Sequence, residues 1–147
     1  VERIIAAQNY LAAYLNVRQL SFGLTDMAWH TITEPFEGDV EQFEVASMAP
    51  SLVLPVVPGT AMAPAFGHIF SGGYAAGYYG YKWAEVLEAD AFSLFKEKGI
   101  FNREVSGSFR ENILSKGGTE HPMELYVRFR GHKPETKALI EKMGLGK

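Results

Sequence analysis

The hydrophobic and polar positions of the first half of the chain follow a helical period. Apolar residues over 3–20 form a broad stripe, and the pattern continues through 24–31, either in the same helix or after a short break near Gly23. Asp39 precedes a second apolar pattern over 40–48 and is a suitable N-cap for that helix. We find no convincing alternation of apolar and polar residues. The pattern therefore predicts an all-α chain.

The second half of the chain has further helical patterns that are bounded by glycine or proline. The longest helix is expected over about 75–98, and Gly99 is a suitable residue to end it. Shorter helices are expected over about 103–115, 122–131 and 134–144. Pro122 suits a first helical turn because the N–H that proline lacks has no partner there.

One long stretch of the chain, residues 45–81, contains no Asp, Glu, Lys or Arg. A membrane span is the obvious interpretation, but four prolines and six glycines interrupt the stretch, so no continuous helix could run through it. We therefore expect no membrane partner. Most of the stretch is predicted to be a buried connection, and residues 67–81 are predicted to form the wall of a cleft.

Composition narrows the class of protein further. The 147 residues are 47% hydrophobic and 21% charged, as in a globular protein, and their number fits a single domain over 1–147. The net charge of −3 gives no reason to expect nucleic acid as a partner. The absence of cysteine excludes disulfides and thiol catalysis, and it fits a reducing compartment.

The segment FGHIFSGGYAAGYYGY, at 66–81, contains the candidate chemistry. His68 and the Gly72-Gly73 turn precede three tyrosines that are spaced i, i+4 and i+7, so a helix would bring the three phenols to one face. These are Tyr74, Tyr78 and Tyr81. Phenols with a nearby imidazole can hydrogen-bond a peptide substrate or the oxyanion formed when a peptide bond is attacked. The alternative is a set of core rings with satisfied hydroxyls.

Two other patterns are weaker indications of a site. The glycine turn has no preceding strand and matches neither GxGxxG nor GKS/T, so a nucleotide loop is disfavoured. Asp26 and His30 are spaced as a carboxylate–imidazole pair or a partial metal site, and without a third ligand the structural pair is favoured. The chain has four histidines, none of them in the zinc motif HExxH, so no metal ligands are predicted here.

Three segments resemble one known family. They are FGHIFSGGYAAGYYGYKWAEVLEADAFSLF at 66–95, LTDMAWHT at 24–31 and GIFNREVSGSFRENILSKGGTEHPMELYVRFRG at 99–131. They resemble the C-terminal part of the thimet-oligopeptidase family of zinc metallopeptidases. The family's zinc is held by a helical HExxH and a Glu on a following helix, and this chain lacks HExxH and begins with Val1. We therefore expect the helical C-terminal piece of a larger, mostly helical peptidase.

The resemblance also implies roles for residues of the candidate segment. Tyr81 matches the tyrosine that donates a hydrogen bond to the tetrahedral oxyanion beside the zinc. His68 and Tyr74 match substrate-binding residues, and Tyr78 is expected to assist them. Gly72 and Gly73 are expected to form a hinge loop that adjusts around the peptide.

The expected parent is a cytoplasmic zinc peptidase that cleaves short peptides. Its zinc and its missing N-terminal part lie outside this chain, so the isolated chain is expected to be inactive. GGYAAGYYGY and DMAWHT favour a peptidyl-dipeptidase, which releases C-terminal dipeptides. The alternatives are an oligopeptidase A-like endopeptidase and, in a different class, a stand-alone helical binding module.

Overall fold

The computed structural model describes residues 1–146, apart from the side chain of Ile5, and within this part of the chain it contains helices and turns but no strand. The helices, in order, are α1 (Glu2–Asn9), α2 (Ala12–His30), α3 (Val40–Met48), α4 (Gly67–Phe70), α5 (Gly80–Lys98), α6 (Arg103–Phe109), α7 (Pro122–Arg130) and α8 (Lys137–Lys142). The prediction of an all-α chain is confirmed. Among residues 1–146, no helix has the length and apolar character needed to cross a bilayer.

The chain divides into two compact units, one over Val1–Trp83 and one from Ala84 onward. In the first unit an aromatic cluster joins α2 to α3. The Trp29 ring lies 4.3 Å from that of Phe43 and 4.9 Å from that of Phe36, and the Phe36 and Phe43 rings are 4.9 Å apart. Such edge-on and tilted pairs add to the stabilisation from apolar burial.

Of the two alternatives at Gly23, the continuous helix is confirmed, but the helix predicted over 3–20 is interrupted at Leu11. Helix α1 ends at Asn9, Leu11 has a left-handed φ of 57°, and α2 then runs without interruption from Ala12 to His30. Gly23 is buried inside α2, where a Cβ would lie 3.6 Å from the Cα of Tyr79. Gly23 therefore allows the backbone at Tyr79 to approach α2 closely.

Two carboxylates of α3 hold the irregular segment that follows it. Both Glu41 oxygens accept the Gly59 N–H, at 2.9 and 3.1 Å. The buried Glu44 accepts the N–H of Met62 at 2.8 Å and that of Ala63 at 2.6 Å. These bonds satisfy backbone donors that have no helix or sheet partner, so a segment without charges of its own is held by charges from its neighbour.

The predicted start of α5 near Ala75 is wrong, because the helix begins at Gly80. Residues 74–79, here named the tyrosine turn, form consecutive turns in which Ala76 has a left-handed φ of 52°. The three phenols are therefore not aligned by one helix, since Tyr74 and Tyr78 precede α5. By contrast, the Asp39 cap is confirmed, because its carboxylate accepts the Gln42 N–H at 2.9 Å.

The second unit has its core between α5, α6 and α7. Ala91, Val105, Tyr126 and Phe129 are buried together there. The helix predicted over 103–115 is α6 followed by a π-helical turn, Arg110–Leu114. Helix α7 starts at Pro122 and ends before Gly131, whose φ is 88°, as predicted. The last helix, α8, begins at Lys137 rather than Pro134 and packs Leu139 against Val86 and Ala89.

Candidate functional site

The tyrosine turn is fixed by a carboxylate that is distant in sequence. Asp26, on α2, has no solvent exposure. Its Oδ1 accepts the Ala76 N–H at 2.9 Å, and its Oδ2 accepts the Tyr78 N–H at 2.8 Å. The left-handed conformation costs a non-glycine residue roughly 1–2 kcal/mol, which the bond to Ala76 helps to offset.

The three tyrosines of the candidate segment lie together although they do not share a helix. The Tyr74 and Tyr81 rings are stacked, with centroids 4.8 Å apart and an interplanar angle of 29°. The Tyr78 and Tyr81 rings are 5.1 Å apart and tilted by 59°. Tyr74 and Tyr81 are exposed by 40% and 37%, so part of each side chain is accessible to a ligand.

His68 lies beside the same rings. Its imidazole centroid is 6.0 Å from that of Tyr74 and 6.2 Å from that of Tyr78. His68 is exposed, whereas Tyr78 is half-buried, and the edge of the Tyr78 ring packs against Phe22 and Phe66. The structure therefore brings an exposed imidazole and two exposed phenols together around one supported ring.

The two glycines before Tyr74 have different surroundings. A Cβ on Gly72 would lie 2.9 Å from the carbonyl oxygen of His68, whereas a Cβ on Gly73 would meet no atom within 4 Å. The Gly72 N–H also donates to the Gly67 carbonyl at 2.7 Å. Close approach of the His68 backbone therefore requires glycine at position 72 and not at position 73.

The family model for peptidase family M3 matches residues 1–145. This chain belongs to peptidase family M3. It is 48% identical to oligopeptidase A of Escherichia coli (strain K12) over 99% of the chain and 22% of that protein. It is 40% identical to the probable cytosolic oligopeptidase A of Arabidopsis thaliana, over 98% of the chain and 21% of that protein. It is 41% identical to dipeptidyl carboxypeptidase of E. coli (strain K12), over 86% of the chain and 19% of that protein.

The resemblance found in the motifs is therefore confirmed at the level of the family. The chain covers 22% of the length of the E. coli oligopeptidase A, so it spans about a fifth of its relatives. In the part of this M3 chain that the structure describes, no group of three His, Asp or Glu side chains is arranged to hold a metal ion. The chemistry of the candidate site is that of its own side chains.

In this M3 chain the hydroxyl of Tyr81 is kept protonated. A hydrogen bond to the Tyr74 hydroxyl raises the pKa of Tyr81 to about 12. Because the unperturbed phenol has a pKa near 10, Tyr81 is a neutral donor throughout the neutral and mildly alkaline range. A neutral phenol can donate a hydrogen bond to a developing oxyanion and keep its proton while it does so.

In this M3 chain the carboxylate that holds the tyrosine turn is itself paired with His30. His30 Nδ1 lies 2.9 Å from Asp26 Oδ1 and 2.8 Å from the Asp26 carbonyl oxygen, so Nδ1 is the ring nitrogen with a proton. The spacing in the sequence predicted this pair. It did not indicate that Asp26 also binds the tyrosine turn, because that contact spans 50 residues.

Proposed function

We propose that this M3 chain forms the substrate-binding and oxyanion-stabilising part of a peptidase that acts on short peptides. The main support is the cluster of accessible hydrogen-bonding groups around Tyr78. These groups are His68, Tyr74 and Tyr81. The family assignment supports peptides as the substrate class. A stand-alone helical binding module has no comparable support.

In this proposal Tyr81 donates its hydroxyl proton in a hydrogen bond to the oxyanion formed from the scissile carbonyl. The Tyr74 hydroxyl is the neighbour that raises the pKa of Tyr81 and so favours its neutral form, and in this proposal the substrate oxygen takes the place of Tyr74 as acceptor. A preorganised donor that acts on charge present only in the transition state contributes about 3–4 kcal/mol. Tyr81 is the catalytic residue of the proposed site.

The other residues of the site have binding roles in this proposal. His68 and Tyr74 donate hydrogen bonds to the peptide backbone, since both are exposed and adjacent. Tyr78 supports the bound peptide with its ring, while its hydroxyl accepts a bond from Gln19 Nε2 at 3.3 Å. Gly72 forms the tight turn that precedes these residues, because position 72 is restricted by close backbone contact, whereas Gly73 follows it without such a restriction.

The remaining parts of the enzyme lie, in this proposal, outside the chain. Zinc would be bound by residues outside the chain, and it would supply the activated water for peptide hydrolysis. The first unit exposes apolar side chains on α1 and α2, including Ile4 at 72% and Leu15 at 54%, which supports cover by another part of the protein. A cytoplasmic location is supported by the relative named as probably cytosolic.

The test of Tyr81 is its replacement by Phe in the full-length protein. We expect kcat to fall about 10²–10³-fold with KM nearly unchanged, because the lost bond exists only in the transition state. Thermal unfolding gives the control: the ring is retained, so the melting temperature should barely change. A near wild-type kcat, or a loss of activity that follows a large loss of stability, would refute the role.

Two modes of cleavage compete within the proposed function. The motifs favour release of C-terminal dipeptides, whereas the higher identity to oligopeptidase A favours internal cleavage. A peptide with an amidated C-terminus distinguishes the two modes. An enzyme that releases C-terminal dipeptides binds the free C-terminal carboxylate, so it should cleave the amidated peptide poorly. Mass spectrometry of the products then identifies internal cleavage if the amidated and free peptides are cut alike.

A further inference from the structure

Both carboxylate oxygens of Asp26 bind the backbone of the tyrosine turn, which is far from Asp26 in the sequence. The bonds reach Ala76 and Tyr78, at separations of 50 and 52 residues. Asp26 is completely buried, and burial of a carboxylate is unfavourable unless several donors surround it. The two N–H groups and His30 Nδ1 are those donors.

Backbone hydrogen bonds connect the two anchored residues to the phenols on either side. Gly77, between the anchors, donates its N–H to the Tyr74 carbonyl at 2.9 Å. On the other side, the Tyr81 N–H donates to the Tyr78 carbonyl at 3.2 Å. The Asp26 carboxylate therefore fixes the backbone between Tyr74 and Tyr81, and this backbone determines where the two stacked rings lie.

We propose that Asp26 is a positioning residue of the peptidase site, whose buried carboxylate holds the tyrosine turn and thereby directs the Tyr81 hydroxyl toward the oxyanion. This inference rests on the proposed function and extends it to a residue that does not touch the substrate. His30 has a supporting role, since it donates to Oδ1 and holds the carboxylate in the orientation that serves both N–H groups.

The two bonds require the chemistry of a carboxylate. An amide of the same size offers one acceptor oxygen, and its NH₂ group would face either the Ala76 or the Tyr78 N–H as donor against donor. A hydroxyl side chain offers one oxygen only. Asp26→Asn therefore keeps the shape of the side chain and removes one anchor, which makes it the most conservative test.

Thr25 provides a matched control on the same helix. It is also completely buried and polar, but its hydroxyl bonds Ser47 Oγ at 3.1 Å and has no bond to the tyrosine turn. Thr25→Val keeps the shape and removes a buried hydrogen bond. An effect that comes from general loosening of α2 should appear in both variants, whereas a positioning effect should appear only in Asp26→Asn.

The first experiment is a double-mutant cycle in the full-length protein, with kcat and KM measured on a short peptide. We expect Asp26→Asn to lower kcat about 10- to 100-fold, as a small misplacement of a catalytic group does. In the Tyr81→Phe background the same change should have less than about a twofold further effect, because the hydroxyl that it misplaces is already absent. Thr25→Val should leave kcat within about twofold in both backgrounds.

The second experiment does not depend on activity and uses the pKa of Tyr81 to report on the position of its hydroxyl group. Ultraviolet titration of the wild type and of Asp26→Asn, each against its Tyr81→Phe counterpart, isolates the ionisation of Tyr81. We expect its pKa to fall from about 12 toward the ordinary value in Asp26→Asn, since the bond to Tyr74 depends on the turn. If Asp26→Asn does not fold, His30→Phe replaces it, and a smaller change in the same direction is expected.

The outcomes separate the two proposals. If Tyr81→Phe keeps its kcat, the proposed function of Tyr81 is refuted, and the titration alone decides whether Asp26 positions the ring. Suppose instead that Tyr81→Phe lowers kcat, and that Asp26→Asn lowers kcat by the same factor in the Tyr81→Phe background as in the wild type. The positioning role is then overturned and the proposed function stands. An unchanged Tyr81 pKa in Asp26→Asn also overturns the positioning role.

Discussion

Gly72 and Gly73 are adjacent in the sequence, yet only one of them has to be glycine. A methyl group at position 72 would approach the His68 carbonyl oxygen to 2.9 Å, a distance that Cβ atoms essentially never show, while position 73 has open space. We expect Gly72→Ala to lower kcat/KM for a peptide at least tenfold in the full-length protein, because it displaces the backbone of His68 by the order of an ångström.

Gly73→Ala is the matched control for this prediction. It adds the same methyl group one residue later, and kcat/KM should stay within about twofold of the wild type. Steady-state kinetics of both variants, with thermal unfolding of each, provides the measurement. Equal losses in the two variants would mean that the flexibility of the turn, rather than its close packing, is what substrate turnover requires.

The hydroxyl of Tyr74 determines the ionisation of Tyr81. Its hydrogen bond favours the neutral form of Tyr81, so it stabilises the folded protein fully below pH 10, and this contribution is lost as the pH rises through about 12. We expect Tyr74→Phe to lower the pKa of Tyr81 toward 10. Difference titration against Tyr74→Phe/Tyr81→Phe measures it, and Tyr79→Phe, which alters an exposed neighbouring phenol, should leave it unchanged.

The identity of the candidate residues could be read from the sequence, but one of their main supports could not. His68, Tyr74 and Tyr81 stand in a motif, and the structure brings their side chains together. Asp26 appeared only as a partner of His30, because spacing along one helix shows neighbours within a turn or two. Its bonds to Ala76 and Tyr78 depend on how distant segments meet, and no local pattern encodes them.

At the scale of elements, boundaries set by local chemistry were predicted correctly, and those set by distant contacts were not. The cap at Asp39 and the end of α7 at Gly131 each depend on one residue and its neighbours. The start of α5 at Gly80 depends instead on Asp26, which takes two N–H groups from a segment whose alanines favour a helix. The left-handed Leu11 between α1 and α2 has no signal in the sequence.

Helices α5 and α7 of the second unit are joined by a buried polar bond. The Tyr126 hydroxyl donates to Asp90 Oδ2 at 2.6 Å, and the Arg130 Nε lies 3.6 Å from Asp90 Oδ1. Burial, followed by the bond to Asp90, raises the pKa of Tyr126. We expect Tyr126→Phe to reduce the free energy of unfolding by about 1.5–3 kcal/mol, because a buried carboxylate loses a donor.

Urea unfolding of the full-length protein and of Tyr126→Phe measures this change as a lower midpoint with an unchanged slope. Tyr10→Phe is the control, because Tyr10 is largely exposed and its replacement should alter the free energy of unfolding by less than about 0.5 kcal/mol. An equally small change in Tyr126→Phe would indicate that water replaces the lost donor and that the two helices are held by apolar packing alone.

At the scale of the whole molecule, the chain covers about a fifth of its relatives, for example 22% of the E. coli oligopeptidase A. Residues 1–146 contain no metal-holding cluster, so we expect the isolated chain to retain no stoichiometric zinc after dialysis. Elemental analysis measures this, and circular dichroism of the same sample checks that the helices are formed. One tightly held zinc per folded chain would contradict the prediction.

The bonds from Asp26 also bear on the order in which the chain folds. They close a loop of 50 residues or more, whereas α2 needs only contacts within itself. Closing such a loop costs more conformational entropy than adding a residue to a helix, so we expect it to follow the formation of local helices. The tyrosine turn has no helical ladder of its own to form early, so we expect the phenols to reach their final arrangement after the first unit has assembled around them. During synthesis, the site is therefore among the last features of this unit to appear.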